Sequence, residues 1–435
     1  MDHRILALPD RYEHGLVDGQ AGKADKEAML RTLTAFTLLF ASFSAQAEDR
    51  LAPPATVVVA FDSETITPLI VEGRRVLDTG APIEANDPVR IASISKLIMA
   101  LATMRLVDEG VVELDTDVSE YLGWQVRSPH HPDAKVTLAQ LLSHRSALRD
   151  SAGYIIPLGE SLEEKLKNPD SWYADAPPGE APFEYANLGS PLVATVLEAA
   201  SGTRYDHILE RQVFLPLGIE NACVNWIGCS DEMVSRAVAL YRDTGEPARD
   251  YSDDLPPNCS FPVAEGVECT LAGYVPGTNA SIFSPQGGVR IGMMDLAKIG
   301  QAMLDRESVA LPRSMIRAMQ GSVADGIAAF EEQGSDQDFF CIYGQGVQVI
   351  QWPQTTCQDN LFGDGAPYVG HAGEAYGLRA GLWFAPGADL GVVYFTTQVP
   401  PRQSAEDEGG FDPREIALML RAQGLIAQQE SEQPQ

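Results

Sequence analysis

Strand-like segments gather at the two ends of this chain, and helix-like segments fill the space between. Residues 55–61 read ATVVVAF, a β-branched run. Residues 68–80 hold two short apolar runs around Glu72-Gly73, a hairpin signal. Strand-like runs return at 343–352, 377–386 and 390–398. Between them, Ile94, Leu97, Ile98, Leu101 and Met104 are spaced as one face of a helix that opens at Ser93 and stops near Gly110. Further helical stretches lie at 136–144, 188–202 and 205–218, and 284–305 runs from a Gly-Gly turn into a helix with Asp295 near its start. Asp412-Pro413-Arg414-Glu415 opens a last helix: Asp412 can cap it, Pro413 suits the first turn and Glu415 can bond back. The pattern implies an α/β (α+β) fold, with an antiparallel sheet built from both chain ends, flanked by helices, and an inserted mainly helical subdomain at roughly 110–280. We divide the chain into an extension at 1–47, a single domain at 48–425 and a polar tail at 426–435.

An apolar content of 45% is enough for a large core. The formal net charge of −30 repels phosphate backbones and anionic lipid, so nucleic-acid binding is set aside. A solvated acidic surface is the plain reading; a steering field for a cationic substrate is the narrower one.

Met29-Leu30-Arg31, the apolar run LTAFTLLFASF at 33–43 and Ala45-Gln46-Ala47 follow the layout of a secretory signal. The run is short for a bilayer span, and the polar residues 1–28 before it point to Met29 as the true start. A buried apolar helix is the rival reading. No cysteine follows the run, so no stable membrane anchor is expected. The six cysteines (Cys223, Cys229, Cys259, Cys269, Cys341, Cys357) all lie in the second half. An even count in an exported chain favours disulfides, and 15 connectivities are open. Short loops suggest Cys223–Cys229, Cys259–Cys269 and Cys341–Cys357. Two of these would staple the loop-rich stretch 223–280. The spacing fits zinc poorly. His130-His131, flanked by Pro129 and Pro132, reads as an exposed loop pair, so no metal and no cofactor are expected.

The stretch RIASISKLIMA places Ser93 and Lys96 on one side of a helix start. A serine hydroxyl needs a base, and a lysine can serve if burial lowers its pKa. The helix start also offers N–H groups to developing negative charge. PPGEAPFEYANLG adds Tyr185, a phenol able to shuttle a proton, and Asn187, an amide able to hold a lysine and a substrate carbonyl. YVGHAGEAYGL adds His371 and Gly373, the glycine leaving room for a substrate backbone. Each motif alone is better explained by an ordinary cap, loop or turn.

Together, S-x-x-K, Y-x-N and H-x-G in that order resemble the serine β-lactamase-like hydrolases, in the branch of class C β-lactamases, D,D-peptidases and related esterases. LLSHRSAL, FLPLGI and SPQGGVRIGMMDLAKIGQAML are similar to family segments too, and the resemblance spans roughly residues 55–425. It implies that Ser93 forms an acyl-enzyme, that Lys96 and Tyr185 share the proton work, and that Asn187 positions the acyl amide. It also implies that His371 and Gly373 stand in the substrate-binding strand motif, with the backbone N–H groups of Ser93 and Glu374 as the oxyanion hole. Two departures bear on the substrate. His371 replaces a permanent cation, and Ala372 stands where a hydroxyl is common while Glu374 adds an opposing charge. Arg379 is able to compensate, although a surface cation is the plainer reading. The expected substrate is therefore a small molecule or peptide-like compound, an ester or amide rather than a β-lactam or a D-Ala-D-Ala terminus. The alternatives are a β-lactamase or D,D-carboxypeptidase, and a non-catalytic penicillin-binding sensor module. A Ser-His-Asp mechanism through His371 or His144 lacks the G-x-S-x-G elbow.

Overall fold

The structure is a computed structural model and describes residues 54–77, 81–242, 246–248, 259, 261–304, 339–353, 357–385, 387–400 and 410–432. All of these fall within one compact unit, Ala52–Gln435. The expected signal segment at 29–47 lies outside the described residues.

The strands are β1 (Thr56–Phe61), β2 (Ile66–Glu72), β3 (Val89–Arg90), β4 (Ala222–Val224), β5 (Val289–Ile291), β6 (Ile342–Tyr343), β7 (Gln348–Ile350), β8 (Tyr368–Ala375), β9 (Leu378–Ala385) and β10 (Leu390–Thr396). The helices are α1 (Ile94–Asp108), α2 (Ser119–Leu122), α3 (Leu138–Leu142), α4 (Leu162–Leu166), α5 (Gly189–Ser201), α6 (Tyr205–Leu209), α7 (Asp231–Arg236), α8 (Met293–Leu304) and α9 (Pro413–Glu432). The main sheet runs β2-β1-β10-β9-β8-β7-β6. The N-terminal β1 lies against the late strand β10, with Thr56 opposite Thr396 and Phe61 opposite Gly391. The sheet is thus built from both ends of the chain and is antiparallel throughout. A small second sheet, β3-β5-β4, leads into α1.

Side-chain alternation along the strands sorts the core into two layers. Val57, Val59, Phe61, Ala380, Leu382, Val393 and Phe395 face the cluster that holds α1 and α8. Val58, Trp383, Ala385, Val392 and Tyr394 face the other way, against Leu418, Met419 and Ala422 of α9. Between those layers, all eight residues of β9 are buried.

Several expectations needed correction. The hairpin at Glu72-Gly73 is replaced by a single strand, β2, paired with β1. The turn lies earlier because the Asp62 carboxylate takes the N–H groups of Glu64 and Thr65, both at 2.7 Å, and closes it there. α1 is buried all round rather than on one face; Ser95, Ala100, Ala102 and Thr103 are as enclosed as the apolar stripe. The helix at 205–218 is regular only over α6 and passes through a π turn into the 3₁₀ turn Leu215–Leu217, where Pro216 has no N–H to donate. α9 continues to Glu432, into the stretch read as a polar tail.

The three disulfides pair as the short loops suggest, with Cα–Cα distances of 5.0, 5.7 and 6.2 Å for Cys223–Cys229, Cys259–Cys269 and Cys341–Cys357. His130 and His131 sit in a surface turn and bond the carbonyls of Pro169 and Ala174. Among the described residues, no helix is long and apolar enough to cross a membrane.

Candidate active site

Ser93 sits at the N-cap of α1, yet its hydroxyl makes no capping bond to the helix. A serine in that place ordinarily accepts an N–H from the first turn. Here the oxygen is left for Lys96, one turn on, whose Nζ lies 3.3 Å away. The preceding Ala92 has φ +48°, a left-handed conformation that residues with a β-carbon rarely adopt. Partners on β5 hold this bend: Ile91 N–H donates to the Val289 carbonyl at 3.0 Å, and Val289 N–H to Ser95 Oγ at 3.1 Å. Ser93 stays partly exposed where its neighbours are buried.

Lys96 is 2% exposed. Its Nζ donates to Asn187 Oδ1 at 2.8 Å and to the Gln286 carbonyl at 3.0 Å. Burial pushes its pKa down from 10.5 to about 7, against the pull of the Asp150 carboxylate. Both partners other than Ser93 are pure acceptors, so they claim two amine hydrogens. In the neutral amine, the lone pair is then left for the Ser93 hydroxyl.

Tyr185 comes in on the loop before α5. Its ring stacks on Phe340 at 4.4 Å with planes 8° apart and lies 4.5 Å from the His144 ring. Lys96 Nζ lies 4.7 Å from the ring centre. The phenol oxygen is enclosed and faces Ser93 without closing a well-formed hydrogen bond. Burial raises its pKa, and the nearby Ser93 hydroxyl opposes the rise.

Asn187 is held from behind. Asp150 accepts the Asn187 backbone N–H, the Asn187 Nδ2 group and the Leu188 N–H, each at 2.9 Å. Leu188, at the N-cap of α5, has no capping side chain of its own, and Asp150 supplies the cap from another segment. Asp150 and the Gln286 carbonyl were not among the expected site residues. A single acid after LLSHRSALR has no spacing that marks it, and a backbone carbonyl has no signature in sequence.

His371 and Gly373 lie inside β8. His371 is fully buried; its Nδ1 donates to the Ala372 carbonyl at 2.6 Å, so its Nε2 accepts from the Tyr343 hydroxyl at 2.8 Å. Burial, then the Lys96 charge, hold its pKa at about 3, so the ring is neutral. His144 is likewise buried, with its pKa lowered, and its Nδ1 accepts the Ala186 N–H at 3.2 Å. A β-carbon at Gly373 would collide with the Ile91 carbonyl, so the glycine lets β8 lie against the bend that presents Ser93. Ala372 packs against the opposite layer of the core.

Arg379 is not the surface cation the sequence suggested. It is 4% exposed, its Nη1 lies 2.6 Å from Glu374 Oε1, and its Nε lies 3.9 Å from Glu415 Oε2. The charge of Glu374 is therefore compensated in place. Within the site the ordered relation is Ser93–Lys96–Asn187–Asp150, with Tyr185 against the first two, and His371 and Gly373 on the adjoining strand.

A family model described as Beta-lactamase matches residues 47–412. The D-alanyl-D-alanine-carboxypeptidase/endopeptidase AmpH of Escherichia coli (strain K12) is 33% identical over 146 residues, which cover 32% of this chain and 37% of that protein. Esterase EstB of Burkholderia gladioli is 28% identical over 211 residues, covering 43% of this chain and 53% of the esterase. The matches thus span about a third to a half of these curated relatives. A crystal structure of a class C beta-lactamase in complex with cefoxitin superposes with a TM-score of 0.58 at 13% identity, covering 92% of this chain and 99% of that one.

Proposed function

The chain belongs to the Beta-lactamase family, and from that premise we propose that it is a serine hydrolase that forms an acyl-enzyme on Ser93 and acts on an ester or peptide-like amide. The observation that carries this reading is the Lys96 amine, buried, poised near neutrality and hydrogen-bonded to Ser93, with its other hydrogens committed to Asn187 and Gln286.

In this mechanism the neutral Lys96 amine takes the Ser93 proton as Oγ attacks the substrate carbonyl. The backbone N–H groups of Ser93 and Glu374 receive the oxyanion, and Asn187 aligns the acyl side. Tyr185, beside both Ser93 and Lys96, passes the proton to the departing alkoxide or amine. Water then attacks the acyl-enzyme, and Ser93 regains its proton as the acid leaves.

Substrate choice follows from the neutral His371. The strand beside Ser93 offers no cationic side chain at that position, which disfavours a substrate that must dock a carboxylate there. The likeness to esterase EstB supports the ester reading. A second reading, a D,D-carboxypeptidase, is favoured by the likeness to AmpH. The apolar run at 33–43, together with the three disulfides, supports export to the periplasm or the medium.

The test is a panel of a p-nitrophenyl ester, a chromogenic cephalosporin, and D- and L-amino-acid amides against wild type and Ser93→Ala. The expected result is fastest turnover of the ester or an uncharged amide, lost in Ser93→Ala. Turnover confined to the cephalosporin would replace the ester reading with a β-lactamase. Binding of a penicillin with no turnover of any substrate would leave a sensor module.

A further inference from the structure

We propose that Asp150 is a positioning residue for this chemistry, holding the Asn187 amide so that its oxygen faces Lys96. The inference deepens the serine-hydrolase reading and rests on it.

The two ends of an amide side chain are nearly the same size, so hydrogen bonding decides which end faces the lysine. The Asp150 carboxylate is acceptor-only and sits behind Asn187, with Oδ2 2.9 Å from Nδ2. It draws the amide hydrogens to itself and leaves Oδ1 for Lys96. Two more bonds, from the N–H groups of Asn187 and Leu188, fix the backbone that carries the amide at the start of α5. The amide therefore cannot turn over or move away without breaking bonds to this one carboxylate. An overturned amide would present N–H groups to the lysine donors, so the lysine would lose an acceptor and its aim at Ser93.

Asp150 also acts on Lys96 through charge. Lys96 is faced by Tyr185 from the loop before α5, by the neutral rings of His144 and His371, and by Asp150. Asp150 in turn is faced by Tyr154 and Tyr185. Arg149 beside it is committed to Glu184, with Nε 2.6 Å from Oε1. Asp150 is thus the acid that holds the amine's proton affinity up, and its removal must lower that affinity further.

The experiment compares wild type, Asp150→Asn, Asp150→Glu and Ser93→Ala on p-nitrophenyl acetate, with kcat/KM followed from pH 5 to 9 and folding checked by thermal melt. Asp150→Asn is expected to lower the plateau at least about tenfold and to move the acid limb down by about half a pH unit or more. A merely structural role would not move the limb in that direction. A folded Asp150→Asn enzyme with wild-type plateau and limb overturns the inference. If that variant does not fold, Asp150→Glu decides: a lowered plateau with the limb at its wild-type pH supports the inference, and a wild-type plateau overturns it. Hydrolysis that survives Ser93→Ala would instead overturn the serine-hydrolase reading, and this inference with it.

Discussion

Phe340 lies flat against Tyr185, ring centres 4.4 Å apart and planes 8° from parallel. The contact covers one face of the ring, His144 packs against it at 4.5 Å, and Phe340 is offered from a segment pinned by the neighbouring Cys341–Cys357 disulfide. Near-parallel rings in contact over their faces restrict the phenol to one orientation, as the proposed proton shuttle requires. Phe340→Leu keeps the apolar bulk and removes the stacking. We expect kcat to fall about threefold to tenfold with KM little changed, measured by steady-state ester hydrolysis at pH 8. The acid limb should not move, because the replaced ring carries no charge.

The pH profile of the wild type follows from Lys96. In the proposed mechanism only the neutral amine accepts the Ser93 proton, so kcat/KM should rise with pH and level off above about 7. His371, with its pKa held at about 3, and His144, also lowered, stay neutral through this range and add no limb of their own. A rate profile from pH 5 to 9 checks this, and His371→Gln should leave the position of the limb within a few tenths of a pH unit, about the size of a secondary electrostatic effect.

Lys96 also leaves a signature in stability. Its pKa is about 7 in the folded chain and 10.5 when exposed, so between those values the unfolded chain holds more protons and stability rises with pH. The destabilisation is fully present below pH 7 and is gone above about 10.5. In Lys96→Met this dependence disappears. Relative to wild type, the mutant should gain roughly 2–4 kcal/mol on going from pH 9.5 to pH 6.5, whatever its offset from the lost bonds to Asn187 and Gln286. Urea unfolding of both proteins at the two pH values measures the difference.

Local chemistry was the most legible part of this chain. Asp412, Pro413 and Glu415 cap α9 as their order suggested: Arg414 N–H donates to Asp412 Oδ1 at 2.8 Å, and Asp412 N–H to Glu415 Oε2 at 3.0 Å. Ser93, Lys96, Tyr185 and Asn187 stood out only jointly, as S-x-x-K followed by Y-x-N, and the fold brings them together around the Lys96 amine. The strand order was less legible. β9 is buried on both sides and shows no alternation from which a register is readable. Arg379 was misread because its partners, Glu374 across a hairpin and Glu415 on α9, are assembled only by the fold. Asp150 escaped for the same reason: its meaning lies in three bonds to residues 37 and 38 positions away.

The central claim is acyl transfer to the Ser93 oxygen assisted by the Lys96 amine. Rapid acid quench of a p-nitrophenyl ester reaction, followed by peptide mass spectrometry, reads it most directly. We expect the acyl mass on the peptide carrying Ser93, none in Ser93→Ala, and acylation slowed at least about a hundredfold in Lys96→Ala. An acyl group on any other residue, or acylation of Ser93 at the wild-type rate without Lys96, would contradict it.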